Sequence, residues 1–170
     1  MNAIVNFTAG DIATGSARDM AVQDAITQGA LQSPDSTREK LYKLQASIGE
    51  LPNVECPLQH VFAPGVYART IIIPAGSVLV GKIHKHRHLN ILSKGVVRVL
   101  TESGGIQTFQ GPLTMVSEAG TKRAVYAITQ AVWTTIHLNP TDETDLGKLE
   151  DEIIAKTYQE YEQFLLGATS

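Results

Sequence analysis

Three of the five histidines in this 170-residue chain stand at alternate positions in one short stretch, Gly81-Lys82-Ile83-His84-Lys85-His86-Arg87-His88. On a β-strand, alternate residues face the same side, and their Cα atoms are separated by roughly 6.6 Å. His84, His86 and His88 are thereby placed to converge, with rings that can tilt toward one ion. Imidazole is the commonest protein ligand for transition metals. Lys82, Lys85 and Arg87 interleave with these residues, so the stretch also reads as a solvated basic strand end, or as an anion site without a metal. No cysteine or carboxylate lies within the cluster to complete a closed metal site.

The elements that must carry this stretch are short. From Leu51 onward the chain consists of β-branched runs: Gln59 to Phe62, Tyr67 to Ile73, Ser77 to His84, Leu89 to Ser93, Val96 to Thr101, Ile106 to Phe109, Leu113 to Val116, Arg123 to Ile128 and Ala131 to Leu138. Turn signals such as Ala63-Pro64-Gly65, Pro74-Ala75-Gly76 and Gly111-Pro112 separate them. This spacing predicts an antiparallel sandwich or barrel, and the lack of helical patterns between strands argues against a doubly wound fold.

Helical patterns flank this core. Residues 1 to about 15 read as an irregular arm. A weak helix runs from Ser16 toward Leu31, and Ser33-Pro34-Asp35-Ser36 breaks it and caps a second helix. In that second helix Leu41, Leu44 and Ile48 recur at helical spacing, and Gly49 suits its end. These first fifty residues carry too few large apolar side chains for an independent core and are expected to pack on the β-rich domain or on a partner. After Asn139-Pro140, one helix is predicted with a stripe of Leu146, Leu149, Ile153, Tyr158, Tyr161 and Leu165, broken near Ala155 and packed outside the sheet. The expected organisation is an N-terminal arm with helices over 1–50, a β-barrel over 51–140 and a C-terminal helix over 141–170.

Composition narrows the classes. Fourteen basic and 17 acidic residues give a net charge of −3, which disfavours a general nucleic-acid binder. No apolar run reaches the length of a membrane span. The first residues lack a basic-then-apolar leader pattern, and the lone Cys56 cannot form an internal disulfide. The expectation is a cytoplasmic protein.

Pro74-Ala75-Gly76, the histidine-bearing segment and Leu89-Asn90-Ile91-Leu92-Ser93-Lys94-Gly95-Val96-Val97-Arg98-Val99 together resemble the cupin superfamily over about residues 58–138. The resemblance implies a mainly β, jelly-roll barrel, here with flanking N-terminal and C-terminal helices. It departs at the metal positions. Counted back from Gly95, the family's glutamate position holds His88, and its two histidine positions fall on Lys82 and His84. In Glu118-Ala119-Gly120-Thr121-Lys122-Arg123 the glycine is kept, but Arg123 stands at the family's last histidine position. A substitute ligand set is His84, His88 and His137, with His86 in reserve. His137 also reads as a strand-end histidine bonded to the backbone, and His60 reads as structural. Three neutral imidazoles with an open position suit zinc, iron, manganese or nickel.

Arg123, Lys82 and Tyr126 are the expected substrate-binding residues, since an Arg fork suits carboxylate or phosphate. No paired carboxylates lie near the cluster, and the sequence has neither a Gly-rich phosphate loop nor a nucleophile elbow. Two functions stay open. One is a small cupin binding or converting a small anionic molecule at a metal. The other is a non-catalytic module, a ligand-binding cupin or a phage structural or accessory protein, supported by the lost motif positions and the poorly self-sufficient first fifty residues; the chain is also similar to small cupin-like proteins of tailed phages. The first places it in the cytoplasm (the host's, if phage-encoded) and the second in a virion. Self-association, with a dimer favoured, is expected because small barrels must cover open strand edges.

Overall fold

The computed structural model describes residues 4–6, 34–50, 53–103 and 105–168. In chain order the elements are β1 (Ile4–Asn6), α1 (Pro34–Gly49), β2 (Leu58–Ala63), β3 (Gly65–Ile73), β4 (Ser77–Val80), β5 (Ile83–His84), β6 (His88–Lys94) and β7 (Val96–Thr101). They continue with β8 (Gly105–Gln110), β9 (Leu113–Ser117), β10 (Arg123–Ala127), β11 (Ala131–Asn139), α2 (Leu146–Ile153), β12 (Ile154–Ala155) and α3 (Tyr158–Ala168).

The strands form two antiparallel five-stranded sheets, β1-β4-β10-β7-β8 and β2-β3-β11-β6-β9, with a two-stranded β12-β5 ribbon. The pairing is nested: β3 with β11, β4 with β10, β6 with β9, and β7 with β8. A long hairpin rolled up in this way is a jelly roll. The fold is therefore mainly β, a jelly roll flanked by helices: the strand spacing predicts its antiparallel sandwich, and the resemblance implies its jelly-roll winding.

The tight β6–β7 turn depends on Gly95. Its φ is +99°, and a Cβ there would stand 2.4 Å from the Gln130 carbonyl oxygen. Only glycine tolerates both conditions.

Alternation along each strand divides the side chains between two faces. Between the sheets, Ile73, Leu79, Leu92, Val97, Val99, Val125, Ala127, Ala131 and Trp133 form the buried core. On the outer face of the first sheet, Val78, Val80, Leu100 and Ala124 receive Leu41 and Ile48 of α1. The N-terminal helix is thus packed onto the jelly roll, as its sparse apolar stripe requires.

Two expectations are corrected, for the N-terminal arm and for the C-terminal helix. Part of the arm, Ile4–Asn6, is a strand that pairs with Ser77–Leu79 and extends the first sheet. The helix expected from Ser16 toward Leu31 lies outside the described residues. The C-terminal helix is two helices separated by β12, so the break near Ala155 is an extended segment. Its first half does not lie outside the sheet. Leu149, Ile153 and Ile154 are buried with Tyr67 across the mouth of the roll. Asp145 caps α2, accepting from the backbone N–H groups of Gly147 and Lys148 at 2.9 and 3.0 Å.

Candidate functional site

Three imidazoles meet at that mouth. His84 is on β5, His88 opens β6 and His137 is near the end of β11. Their ring centroids are 4.2 Å apart for His84 and His88, 4.6 Å for His88 and His137, and 5.0 Å for His84 and His137. One nitrogen from each lies within 4.8 Å of the others. The convergence does not come from parity on one strand. The chain bends over Lys85 and His86, so His84 and His88 face each other across a turn. His86 is exposed and stands edge-on to Phe164 of α3, at 5.2 Å. It is outside the group.

The local backbone explains the ring orientations. His88 Nδ1 is 3.1 Å from the His86 carbonyl oxygen. A carbonyl only accepts, so Nδ1 carries the proton and Nε2 carries the lone pair. That Nε2 is buried with no hydrogen-bond partner among the described residues. His84 is fixed by its backbone, because Ile154 of β12 pairs with it and Lys85 N–H donates to the Ile153 carbonyl at 2.8 Å. On β11, Trp133, Thr135 and His137 line the interior as their alternation requires. Leu138 points outward and is 82% exposed.

Burial sets the charge state of the rings. Desolvation, then His88 and His137, then Arg123 and Arg69, push His84 well below the ordinary imidazole range. Desolvation leads for His137 as well, with His88, Arg69 and His86 adding to it, and its pKa falls to about 3. His88 is lowered by burial and by Arg123, against its bond to the His86 carbonyl. All three are neutral at pH 7, the state in which imidazole offers a lone pair to a metal. Zinc bonds imidazole at 2.0–2.1 Å, which implies nitrogens about 3.4 Å apart in a tetrahedral site. Here one nitrogen of each ring lies within 4.8 Å of the other two, so the three are near enough to be candidates for one ion. The orphaned His88 Nε2 and the neutral donor set fit a divalent transition metal.

The imidazoles open onto a cavity of about 320 Å³ between the sheets, within the range for small-molecule sites. Its deep walls are Ile71, Ile73, Leu79, Val125 and Trp133. Trp133 Nε1 donates to Asn90 Oδ1 at 2.8 Å, which fixes the indole. Leu146, Leu149, Glu150, Ile153 and Ile154 cover the mouth.

Among the expected substrate residues, Arg123 lines the cavity and donates to Ser117 Oγ. Lys82 also lines it, but its ammonium is paired with Glu150 of α2. Tyr126 does not reach the cavity. On β10, Arg123 and Val125 face inward, and Tyr126 packs outward with Leu44 and Ile106 beside α1. His60 borders the cavity, and its Nδ1 is 2.7 Å from the Tyr67 hydroxyl.

Sequence reasoning missed Arg69, Asn90 and Glu150. For Arg69 a signal existed: it shares parity with Tyr67, Ile71 and Ile73 on β3 and is the one charge in that inward set.

No protein-family model and no curated protein sequence matches the chain. Solved structures do resemble it. An RmlC-like cupin family protein with a double-stranded β-helix fold from Methanocaldococcus jannaschii has a TM-score of 0.44 at 14% identity, covering 51% of this chain and 84% of its own. Ectoine synthase from P. lautus has a TM-score of 0.48 at 10% identity, covering 63% and 81%. An acetylacetone dioxygenase from Acinetobacter johnsonii has a TM-score of 0.41 at 15% identity, covering 62% and 76%.

Proposed function

We propose that His84, His88 and His137 hold one divalent transition metal, and that the adjoining cavity binds or converts a small anionic molecule beside it. One observation carries this reading. The His88 ring is locked through Nδ1–H on the His86 carbonyl, and its bare, buried Nε2 faces two further neutral imidazoles. A metal-bound histidine characteristically donates its other ring N–H to a carbonyl or carboxylate, which fixes the tautomer.

Zinc, iron, manganese and nickel all accept three imidazoles with an open position. When bound, such an ion supplies a Lewis acid that polarises a coordinated oxygen. The chain's own contributions are distinct. Arg123 offers a guanidinium to an anion, the apolar walls exclude water, and the lid of α2 and β12 closes the mouth. Metal content of the purified protein, with alanine at each histidine in turn, tests the reading. About one ion per chain is expected in the wild type and none in the three variants.

A second observation favours self-association. The outer face of the β2-β3-β11-β6-β9 sheet is apolar and uncovered: Leu138 is 82% exposed, Val61 and Val116 49% each and Leu89 43%. Exposed apolar faces of this kind mark association sites, and we read this one as the contact between two copies. The alternative, a phage structural or accessory protein, would rest on the same face rather than on the histidines. The metal reading places the chain in the cytoplasm. Among the described residues no helix is long and apolar enough to cross a membrane.

A further inference from the structure

The two guanidinium groups of the cavity come from opposite walls. Arg69 is on β3 of one sheet and Arg123 on β10 of the other, and both line the same space. Among the described residues no carboxylate forms an ion pair with either. The one acidic group that lines the cavity, Glu150, is committed to Lys82. In a chain of net charge −3, this cavity is lined by the cations Lys82, Arg69 and Arg123 against the single carboxylate of Glu150, which pairs with Lys82 and also feels Arg69, so positive charge is in excess beside three neutral imidazoles. A partly desolvated charge without a counter-charge is costly, so the arrangement calls for an anion from outside. Beyond the guanidiniums the walls are largely apolar, with Ile71, Ile73, Leu79, Val125 and Trp133 beside the polar Asn90 and Thr135.

We propose that Arg69 and Arg123 form the anion subsite of this cavity, and that its ligand is a small organic carboxylate with an apolar body lying against Trp133. This rests on the reading of the cavity as a ligand site and names the ligand's class. Arginine's planar fork matches carboxylate and phosphate alike, and the apolar chamber selects the organic acid. A free inorganic oxyanion would satisfy the guanidiniums while leaving those walls bare. Lys82, between β4 and β5, instead fastens the lid to the strand ends through Glu150 of α2.

Trp133 is the chain's single tryptophan, so its fluorescence reports the cavity directly. Chelator-treated and zinc-supplemented full-length protein would be titrated at constant ionic strength with 4-methylpentanoate, with the neutral 4-methylpentanamide and with inorganic phosphate. The carboxylate should saturate the signal, with the amide about tenfold weaker or more, as removal of one charged partner predicts. Phosphate should give no saturable change at the same concentrations. Arg69→Gln should reduce the preference for acid over amide to about threefold or less, and Arg69→Lys, which keeps the charge without the fork, should fall between. If Arg69→Gln fails to fold by circular dichroism, the wild-type comparison of acid with amide decides alone.

An amide as tight as the acid, or no saturable response to the acid, overturns the proposal. An unchanged preference in a folded Arg69→Gln protein does so as well. A phosphate response equal to that of the acid overturns the apolar half. Zinc retention after dialysis is measured on the same samples. Acid binding without zinc retention removes the metal reading and leaves this subsite, whereas zinc retention without acid binding does the reverse.

Discussion

Ile154 pairs in antiparallel register with His84, so the segment after α2 is hydrogen-bonded to the strand that presents the first imidazole. The C-terminal segment is therefore part of the site's framework as well as its lid. Leu149, 1% exposed, anchors α2 against Tyr67 of β3. Leu149→Ala should cost about 2–5 kcal/mol, as for other buried leucines. A urea titration would read this as a lower midpoint, with faster zinc loss to a chelator. A change in midpoint with unaltered zinc loss would mean that the lid does not support the histidines.

The same segment is latched at its far end. The Tyr158 hydroxyl lies between the Glu102 carboxylate and the Gly120 carbonyl, 2.9 Å from the latter. Arg38 donates twice to Glu102 at 3.0 Å and lies 3.5 Å over the Tyr158 ring. Gly120 has a φ of +74°, which favours glycine, and a Cβ there would stand 2.5 Å from the Tyr161 ring and displace it. Tyr158→Phe removes a bond to a carboxylate and should lower stability by about 1–2 kcal/mol. Zinc stoichiometry should stay the same, because the latch is away from the imidazoles. Equal stability of the two proteins in urea would contradict this role.

Much of the fold is legible in the sequence. The nine β-branched runs and their Gly- and Pro-bearing breaks correspond to β2–β4 and β6–β11, because side-chain alternation and turn chemistry are local properties. The histidine trio is legible as residue types, but strand parity does not explain it. His84 and His88 meet because the chain bends between them, and a bend at Lys85-His86 leaves no periodic trace. Tyr126 faces away from the cavity because Arg123 and Val125 take the inward parity of β10. The placement of α2 over the mouth depends on β12 pairing with β5, a contact between residues some seventy positions apart, which no local pattern encodes.

Acid should destabilise the metal-free protein in a defined window. The imidazoles of His84, His88 and His137 are held below their ordinary value of about 6.5 in the folded state. The unfolded chain then takes up protons that the folded one refuses, so stability falls as pH drops below about 6.5, by up to about 1.4 kcal/mol per pH unit for each such group. The depressed carboxyls of Glu143, Asp145 and Glu150 titrate below this window. The urea midpoint of chelated protein should be lower at pH 5.5 than at pH 7.5. An equal or higher midpoint at pH 5.5 would contradict the buried neutral state of the rings.

The uncovered sheet face makes a separate prediction. Leu138→Asp places a charge at the centre of the face formed with Leu89 and Val116 and should shift a dimer to monomer in multi-angle light scattering at micromolar concentration. A wild-type monomer under those conditions would remove the self-association reading.

The central claim is most directly tested by zinc titration of the chelated protein, with dialysis and elemental analysis afterwards, for the wild type, His88→Ala and His60→Ala. About one zinc should be retained per chain in the wild type and in His60→Ala. That zinc should be lost in His88→Ala, whose Nε2 is the buried lone pair of the site. Wild-type protein that retains no zinc, iron, manganese or nickel, or His88→Ala that retains zinc as the wild type does, would contradict it.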